Sequence, residues 1–195
     1  MLRWLGFSRR NHENTLITRT DTKEKSVTEK MQSTRTDIEE NAIDHIEGVV
    51  IYDLKKFHDD RGWLAELFRH DQLDAQYHPV MSYISFTKPG VQRGPHEHVD
   101  QADLFCFIGP SNFNIKLWDN RPDSPSFNRM MSLVVGADNP KAVVVPKGVV
   151  HGYKNVGDVD GMVINCPNRL YMGEGKREPI DEIRHEDDPD TVYKM

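Results

Sequence analysis

Three histidines and one aspartate carry most of the chemistry that this sequence offers. His96 and His98 stand two apart in Gly90-x5-His96-x-His98-x4-Asp103-x5-Gly109, and His151 follows in Pro146-x-Gly148-x2-His151-x3-Asn155. Residues two apart on a strand point to the same face, so His96 and His98 enter one pocket. Asp103 comes after enough chain for the next turn and strand to return to that face. Pro146 and Gly148 make a tight turn that aims His151 back inward. A histidine of near-neutral pKa suits proton abstraction. Three imidazoles with a carboxylate (His96, His98, Asp103, His151) also suit a divalent transition metal, with positions left open for water or substrate. Histidines that only hydrogen-bond one another would use the same spacing. The residues alone leave these readings open.

The elements that must position these groups read as strands. From Ile46 onward, short runs rich in Val, Ile and aromatics are separated by Gly, Pro, Asp and Asn: GVVIYDL, WLAELFR, MSYISFTK, ADLFCFIG, FNIKLWD, MMSLVVG, KAVVVPKG and GMVINCP. Such runs, spaced by roughly ten residues and punctuated by turn signals, predict an all-β sandwich or barrel. Phe113, Ile115 and Leu117 alternate with Asn112, Asn114 and Lys116, giving one buried and one wet face. Helical period is weak except over Asp71–Tyr77. After Pro167 the chain turns polar and is expected to wrap the barrel surface.

The organisation expected is therefore a disordered or targeting extension over residues 1–45 and one barrel domain over 46–195. Residues 1–45 hold eight Lys/Arg and eight Asp/Glu, so the whole excess of −6 falls on the remainder. An acidic domain without a basic stripe argues against nucleic acid as a partner. No apolar run approaches the ~18 residues of a membrane-spanning helix, which predicts a soluble protein with no membrane partner. Cys106 and Cys166 sit inside apolar runs, which fits buried, reduced thiols and a cytoplasmic setting. The opening MLRWLGFSRR leaves organelle targeting by residues 1–30 as an alternative.

The two histidine motifs together resemble the conserved pair of the cupin superfamily, with Asp103 where cupins usually carry Glu. That implies a double-stranded β-helix, or jelly-roll barrel. The wider sequence resembles the dTDP-4-dehydrorhamnose 3,5-epimerase family, through FHDDRGWLAE (57–66), SYISFTKPGVQRGPHEH, WDNRPDSPSF, VVVPKGVVHGYKN and IRHEDDPD. The resemblance implies an isomerase that epimerises a nucleotide-linked (dTDP) 4-keto-6-deoxyhexose for dTDP-rhamnose or other polysaccharide biosynthesis. It implies a homodimer and no cofactor. His96 would be the base, oriented by Asp188, and Arg93 with Gly94 would hold phosphate. Arg61 and Glu66, with Asp59, would line the nucleotide-sugar cleft, and His151 would be a second, substrate-binding pocket histidine.

Two departures keep other readings in view. Ile164 stands where the family's proton-donating tyrosine is expected, with Tyr153 and Tyr171 as substitutes. His-x-His also replaces the family's His-x-Gln, a change toward metal ligation. The alternatives are a metal-dependent cupin enzyme acting on another small polar substrate, and a non-catalytic sugar-binding barrel. Trp63, Phe68, Phe105, Phe107 and Trp118 read as core or rim aromatics, and Arg69, Arg121 and Lys147 as surface charges.

Overall fold

The computed structural model describes residues 45–195. The expectation of a disordered or targeting segment falls on residues outside that range. The chain enters through β1 (Val50–Asp53) and a small hairpin of β2 (Phe57–Asp59) and β3 (Gly62–Leu64). Then follow β4 (Tyr83–Thr87), β5 (Gln92–Glu97), β6 (Asp103–Phe107), β7 (Asn112–Asp119), β8 (Met130–Gly136), β9 (Lys141–Val145), β10 (Val149–Asn155), β11 (Gly161–Asn165) and a short β12 (Ile183–Arg184).

Two five-stranded sheets, ordered β1-β9-β6-β11-β4 and β12-β5-β10-β7-β8, face each other as the walls of a barrel. Every neighbouring pair is antiparallel, and successive strands cross repeatedly between the sheets. This is the all-β, cupin-type jelly roll that the spacing and the motifs predict.

The two walls differ in what covers them. In β6 and β9 the residues pointing inward (Phe105, Phe107, Val143, Val145) join Phe113, Ile115 and Leu117 in the barrel core. Their outward neighbours (Leu104, Cys106, Ala142, Val144) are also buried, under Leu54, Leu67, Leu73 and Tyr77 from the segment before β4. A strand buried on both faces reads as a continuous apolar run, which is why DLFCF and KAVVV do not alternate. β7 is covered on one face only, and alternates cleanly between buried and half-buried residues. Truncating a core side chain such as Phe107, which is fully buried, should cost about 3–5 kcal/mol.

Local expectations fail where the period is short. The helical pattern over Asp71–Tyr77 yields only a single 3-10 turn at Ala75–Tyr77. Seven residues are too few to repay helix nucleation. WLAELFR contributes only the end of β3. The C-terminal segment does lie on the barrel surface: Lys194 C=O accepts from Lys116 Nζ at 3.0 Å, and Tyr193 packs at a tilt against Trp118.

Candidate active site

β5 and β10 pair with His96 opposite His151, and the register slips between His151 and Tyr153. Gly94 makes this approach feasible, since it has φ +76° and an added Cβ would lie 2.7 Å from the His151 carbonyl oxygen. The turn before β10 forms as expected, with Val149 N–H donating to Pro146 C=O and Gly148 at φ +72°. The three imidazoles converge. Ring centroids are 4.5 Å apart for His96–His151, 5.5 Å for His96–His98 and 5.8 Å for His98–His151. Asp103 reaches the cluster from the facing sheet, at the start of β6. Its Oδ2 lies 3.1 Å from His98 Nε2 and 3.3 Å from His151 Nε2. Its Oδ1 accepts from Gln101 Nε2 at 2.9 Å and from Asn165 Nδ2 at 2.8 Å.

The proton inventory of this cluster is informative. His151 Nδ1 lies 2.9 Å from the Val149 carbonyl, and His98 Nδ1 contacts the Asp181 carbonyl. A carbonyl only accepts, so both Nδ1 atoms carry protons and both Nε2 atoms face the Asp103 carboxylate. Asp103 Oδ2 and His151 Nε2 are buried and lack a hydrogen bond of good geometry. Lone pairs cannot crowd a carboxylate without a cation among them. In the protein alone that cation is a proton. Burial disfavours charge on His98, but the hydrogen bond and charge of Asp103 outweigh it and raise its pKa to about 9. Asp103, although burial opposes ionisation, is held well below the usual carboxylate range by His151 and His98. His96 moves the other way: burial first, then the two neighbouring imidazoles, lower its pKa to about 2. It is therefore neutral with a free lone pair, but far less basic than a near-neutral histidine.

His96 and His98 open into a cavity of about 1120 Å³, which Arg93, Tyr83 and Tyr153 also line. Arg93 is braced at its edge by Thr87 Oγ1 at 3.0 Å and the Phe86 carbonyl at 2.9 Å. A strap from the C-terminal segment closes one side. β12 pairs with β5 so that Arg184 lies opposite His96. This brings a Glu182 carboxylate oxygen to 3.7 Å from His96 Nδ1, a buried atom with no hydrogen-bond partner. Asp181 pins the strap by accepting from the backbone N–H groups of Val99, Asp100 and Gln101 at 2.8–3.0 Å.

Several sequence expectations need correction. Asp188 is exposed in a turn, where Oδ1 caps the Asp190 N–H at 2.9 Å; Glu182 takes the place beside His96. His151 is 2% exposed and stands behind His96 rather than on the cavity wall. Arg61 and Glu66 are not on that wall either. Arg61 sits at the exposed β2–β3 hairpin paired with Asp59, and Glu66 borders a separate pocket of about 210 Å³ with Tyr52 and Phe68. Ile164 points outward against the cluster around Cys106, whereas its neighbours Val163 and Asn165 point in. Arg69 and Arg121 are tied to carboxylates close in sequence, Asp71 and Asp119. Tyr83, Gln101, Asn165, Asp181 and Glu182 were not singled out from the sequence. Nothing in the spacing of the acid-rich IDEIRHEDDPD distinguishes Glu182 from its neighbours.

Fold and pocket together define a cupin-type barrel with a histidine-lined cavity. A family model described as dTDP-4-dehydrorhamnose 3,5-epimerase matches residues 44–188. Among curated relatives, a probable low-salt glycan biosynthesis epimerase of Haloferax volcanii is 35% identical over 135 residues, covering 69% of this chain and 86% of the relative. A spore coat polysaccharide biosynthesis protein of Bacillus subtilis is 34% identical over 140 residues, covering 70% and 91%. A solved dTDP sugar isomerase from Desulfovibrio desulfuricans shares the fold with a TM-score of 0.63 at 23% identity, covering 74% of this chain and 87% of that one. The chain belongs to the dTDP-4-dehydrorhamnose 3,5-epimerase family, whose members are isomerases acting on carbohydrates.

Proposed function

We propose that this chain epimerises a nucleotide-linked 4-keto-6-deoxyhexose, with His96 as the base. The observation that carries the reading is a half-buried His96 on the wall of a cavity large enough for such a substrate, with Glu182 behind it and Arg93 on the same wall. The protons at C3 and C5 are α to the ketone and therefore acidic. The Glu182 carboxylate, 3.7 Å from Nδ1, leaves the other ring nitrogen for the substrate and favours the positive charge that builds on the ring as the proton arrives. That carboxylate answers the low basicity that burial imposes. Arg184, which lines the same cavity, supplies a donor toward the developing enolate oxygen. Arg93 holds the diphosphate bidentately and fixes the ring over His96. Base, donor and anchor are all side chains, so the reaction needs no cofactor.

The proposal extends to a homodimer, with residues 46–195 as the functional domain. Ile84 and Phe86 on the outer face of the edge strand β4 are more than half exposed, and Trp63 and Leu64 stand out from the hairpin. Such an unpartnered edge calls for a cover. A second copy laid on it would bring Arg61 and Glu66, remote from their own cavity, toward the neighbouring one. Solvent deuterium exchange tests the function. In deuterated water, label should enter a dTDP-4-keto-6-deoxyhexose at C3 or C5 and be lost with His96→Asn. No label at either carbon with the wild-type protein sinks the reading.

A second reading rests on one observation: Asp103 Oδ2 lies 3.1 Å from His98 Nε2 and 3.3 Å from His151 Nε2. There the cluster, completed by His96, holds a divalent transition metal in place of the proton. The three histidines offer donor atoms within 4.8 Å of one another. The Nδ1–H groups of His98 and His151 on backbone carbonyls, and Gln101 and Asn165 on Asp103, are the outer supports such ligands use.

A further inference from the structure

Inverting a stereocentre through an enolate requires two groups. A base alone returns its proton to the face it came from, which exchanges hydrogen without changing configuration. A second, proton-bearing group must stand across the ring from His96. We propose that the Tyr83 hydroxyl is that acid; the assignment rests on the epimerase reading and names the residue the reaction lacks.

The geometry comes from the two-walled barrel. His96 projects from β5 in one sheet and Tyr83 from β4 in the other, and both line the same cavity. Alternation along β4 turns Tyr83, Ser85 and Thr87 inward, where Ser85 bonds Tyr153 and Thr87 bonds Arg93. The Tyr83 hydroxyl oxygen accepts from Asn165 Nδ2 at 2.9 Å, and the same amide nitrogen donates to Asp103 Oδ1. A carboxylate only accepts, so the amide must present its NH2 group to both oxygens. Asn165 Oδ1 has no partner of its own and does not take the tyrosine proton. The hydroxyl is thus fixed in place while its hydrogen stays free to face the cavity. Burial, opposed by the hydrogen bond from Asn165 and helped by smaller contributions from Asp103, Tyr153 and Glu182, pushes its pKa up to about 12, so it stays protonated at working pH.

The other hydroxyls fit less well. Tyr153 rises from β10, in the same sheet as His96, and its hydroxyl is engaged with Ser85 at 2.9 Å. Tyr171 lies on the loop before the strap rather than on a wall strand.

The step balances without a co-reactant. His96 takes the α proton, and the C–H electron pair becomes the enolate double bond as charge moves to the carbonyl oxygen. The enolate carbon then takes the Tyr83 proton, the O–H pair remains on the phenolate, and the carbonyl re-forms. Solvent removes the proton from His96 and restores the one on Tyr83.

The test is Tyr83→Phe, assayed with dTDP-4-keto-6-deoxyglucose in deuterated water. Label should still enter C3 or C5 within about threefold of the wild-type rate, in sugar of unchanged configuration. Inverted product should fall by about 100-fold or more, the scale of general acid catalysis. Tyr153→Phe should leave the ratio of exchange to inversion unchanged. Inversion by Tyr83→Phe within threefold of wild type overturns the assignment. So does an equal loss of exchange and inversion in protein that melts normally, since a residue that only positions the substrate moves both together. Wild-type protein that shows neither reaction removes the epimerase reading and this acid with it, a result distinct from a failure confined to the variant.

Discussion

Replacing Asp103 by Asn in chelator-treated protein probes the charge at the centre of the cluster. The side chain keeps its shape and its contacts with Gln101 and Asn165 can re-form, but the carboxylate that draws a proton onto His98 is gone. In the folded wild type His98 titrates at about 9 against an ordinary 6.5. A difference of 2.5 units at about 1.36 kcal/mol each makes the charged pair worth about 3 kcal/mol, counted once on the imidazole side. The raised pKa fixes the sign. The contribution is whole below about pH 6.5 and is lost as pH rises through about 9. Asp103→Asn should therefore be less stable than wild type by about 3 kcal/mol at pH 6, close to the lower end of the cost of breaking a buried pair. The gap should close by about pH 10, where His98 is neutral in both proteins. For a domain of this size the pH 6 difference is a fall of about 6–12 °C in melting temperature. Thermal unfolding by circular dichroism at pH 6, 7.5 and 10 measures it. A gap that stays constant across that range would refute the reasoning, because the loss would then be packing rather than charge.

Glu182→Gln should lower kcat by about 10- to 100-fold with KM little changed, since it removes the negative charge behind His96 without touching the anchor; equal activity in steady-state assays would exclude Glu182 from the mechanism. Arg93→Ala should act mainly on KM, raising it by about tenfold or more through loss of a bidentate anion contact. Phe86→Asp should shift the protein from dimer to monomer in size-exclusion chromatography, and a wild type that already elutes as a monomer counts against the homodimer. Elemental analysis of protein purified without chelator separates the two readings of the cluster: less than about a tenth of an equivalent of transition metal rejects the metal site, whose four ligands should otherwise hold close to one.

The barrel and the histidine cluster were legible because both depend on short-range periodicity. His-x-His places two rings on one face at any strand position, and the turn at Pro146–Gly148 needs no tertiary information. Asp103 was legible through the length of the β5–β6 connection, although it arrives from the opposite wall. The strap was not legible. Which residue meets His96 depends on the pairing of two-residue β12 with β5 across more than 80 residues of sequence, and a shift of two would put Ile180 or Arg184 there instead of Glu182. Ile164 shows the converse problem. Strand faces have a period of two, so an alignment displaced by one residue exchanges an inward Asn165 for an outward Ile164. Tyr83 was hidden for a related reason: its role depends on β4 being an edge strand beside β11, which its own alternation does not reveal.

These residues also explain why one constellation supports two chemistries. One carboxylate among three imidazoles balances one positive charge, and the cavity-facing His96 pays for that arrangement with lowered basicity. A divalent metal in place of the His98 proton would add a further charge and, by engaging His96, remove the lone pair that proton abstraction uses. The base and the fourth ligand are therefore the same atom set under different occupancy, and the two functions exclude each other at any instant. Glu182 tilts the balance. It lies on the Nδ1 side of His96, where it strengthens a base. Metal binding at the cluster does not require it. A strap held by three backbone N–H bonds to Asp181 keeps that carboxylate beside His96, an arrangement that supports the proposed proton transfer over metal ligation.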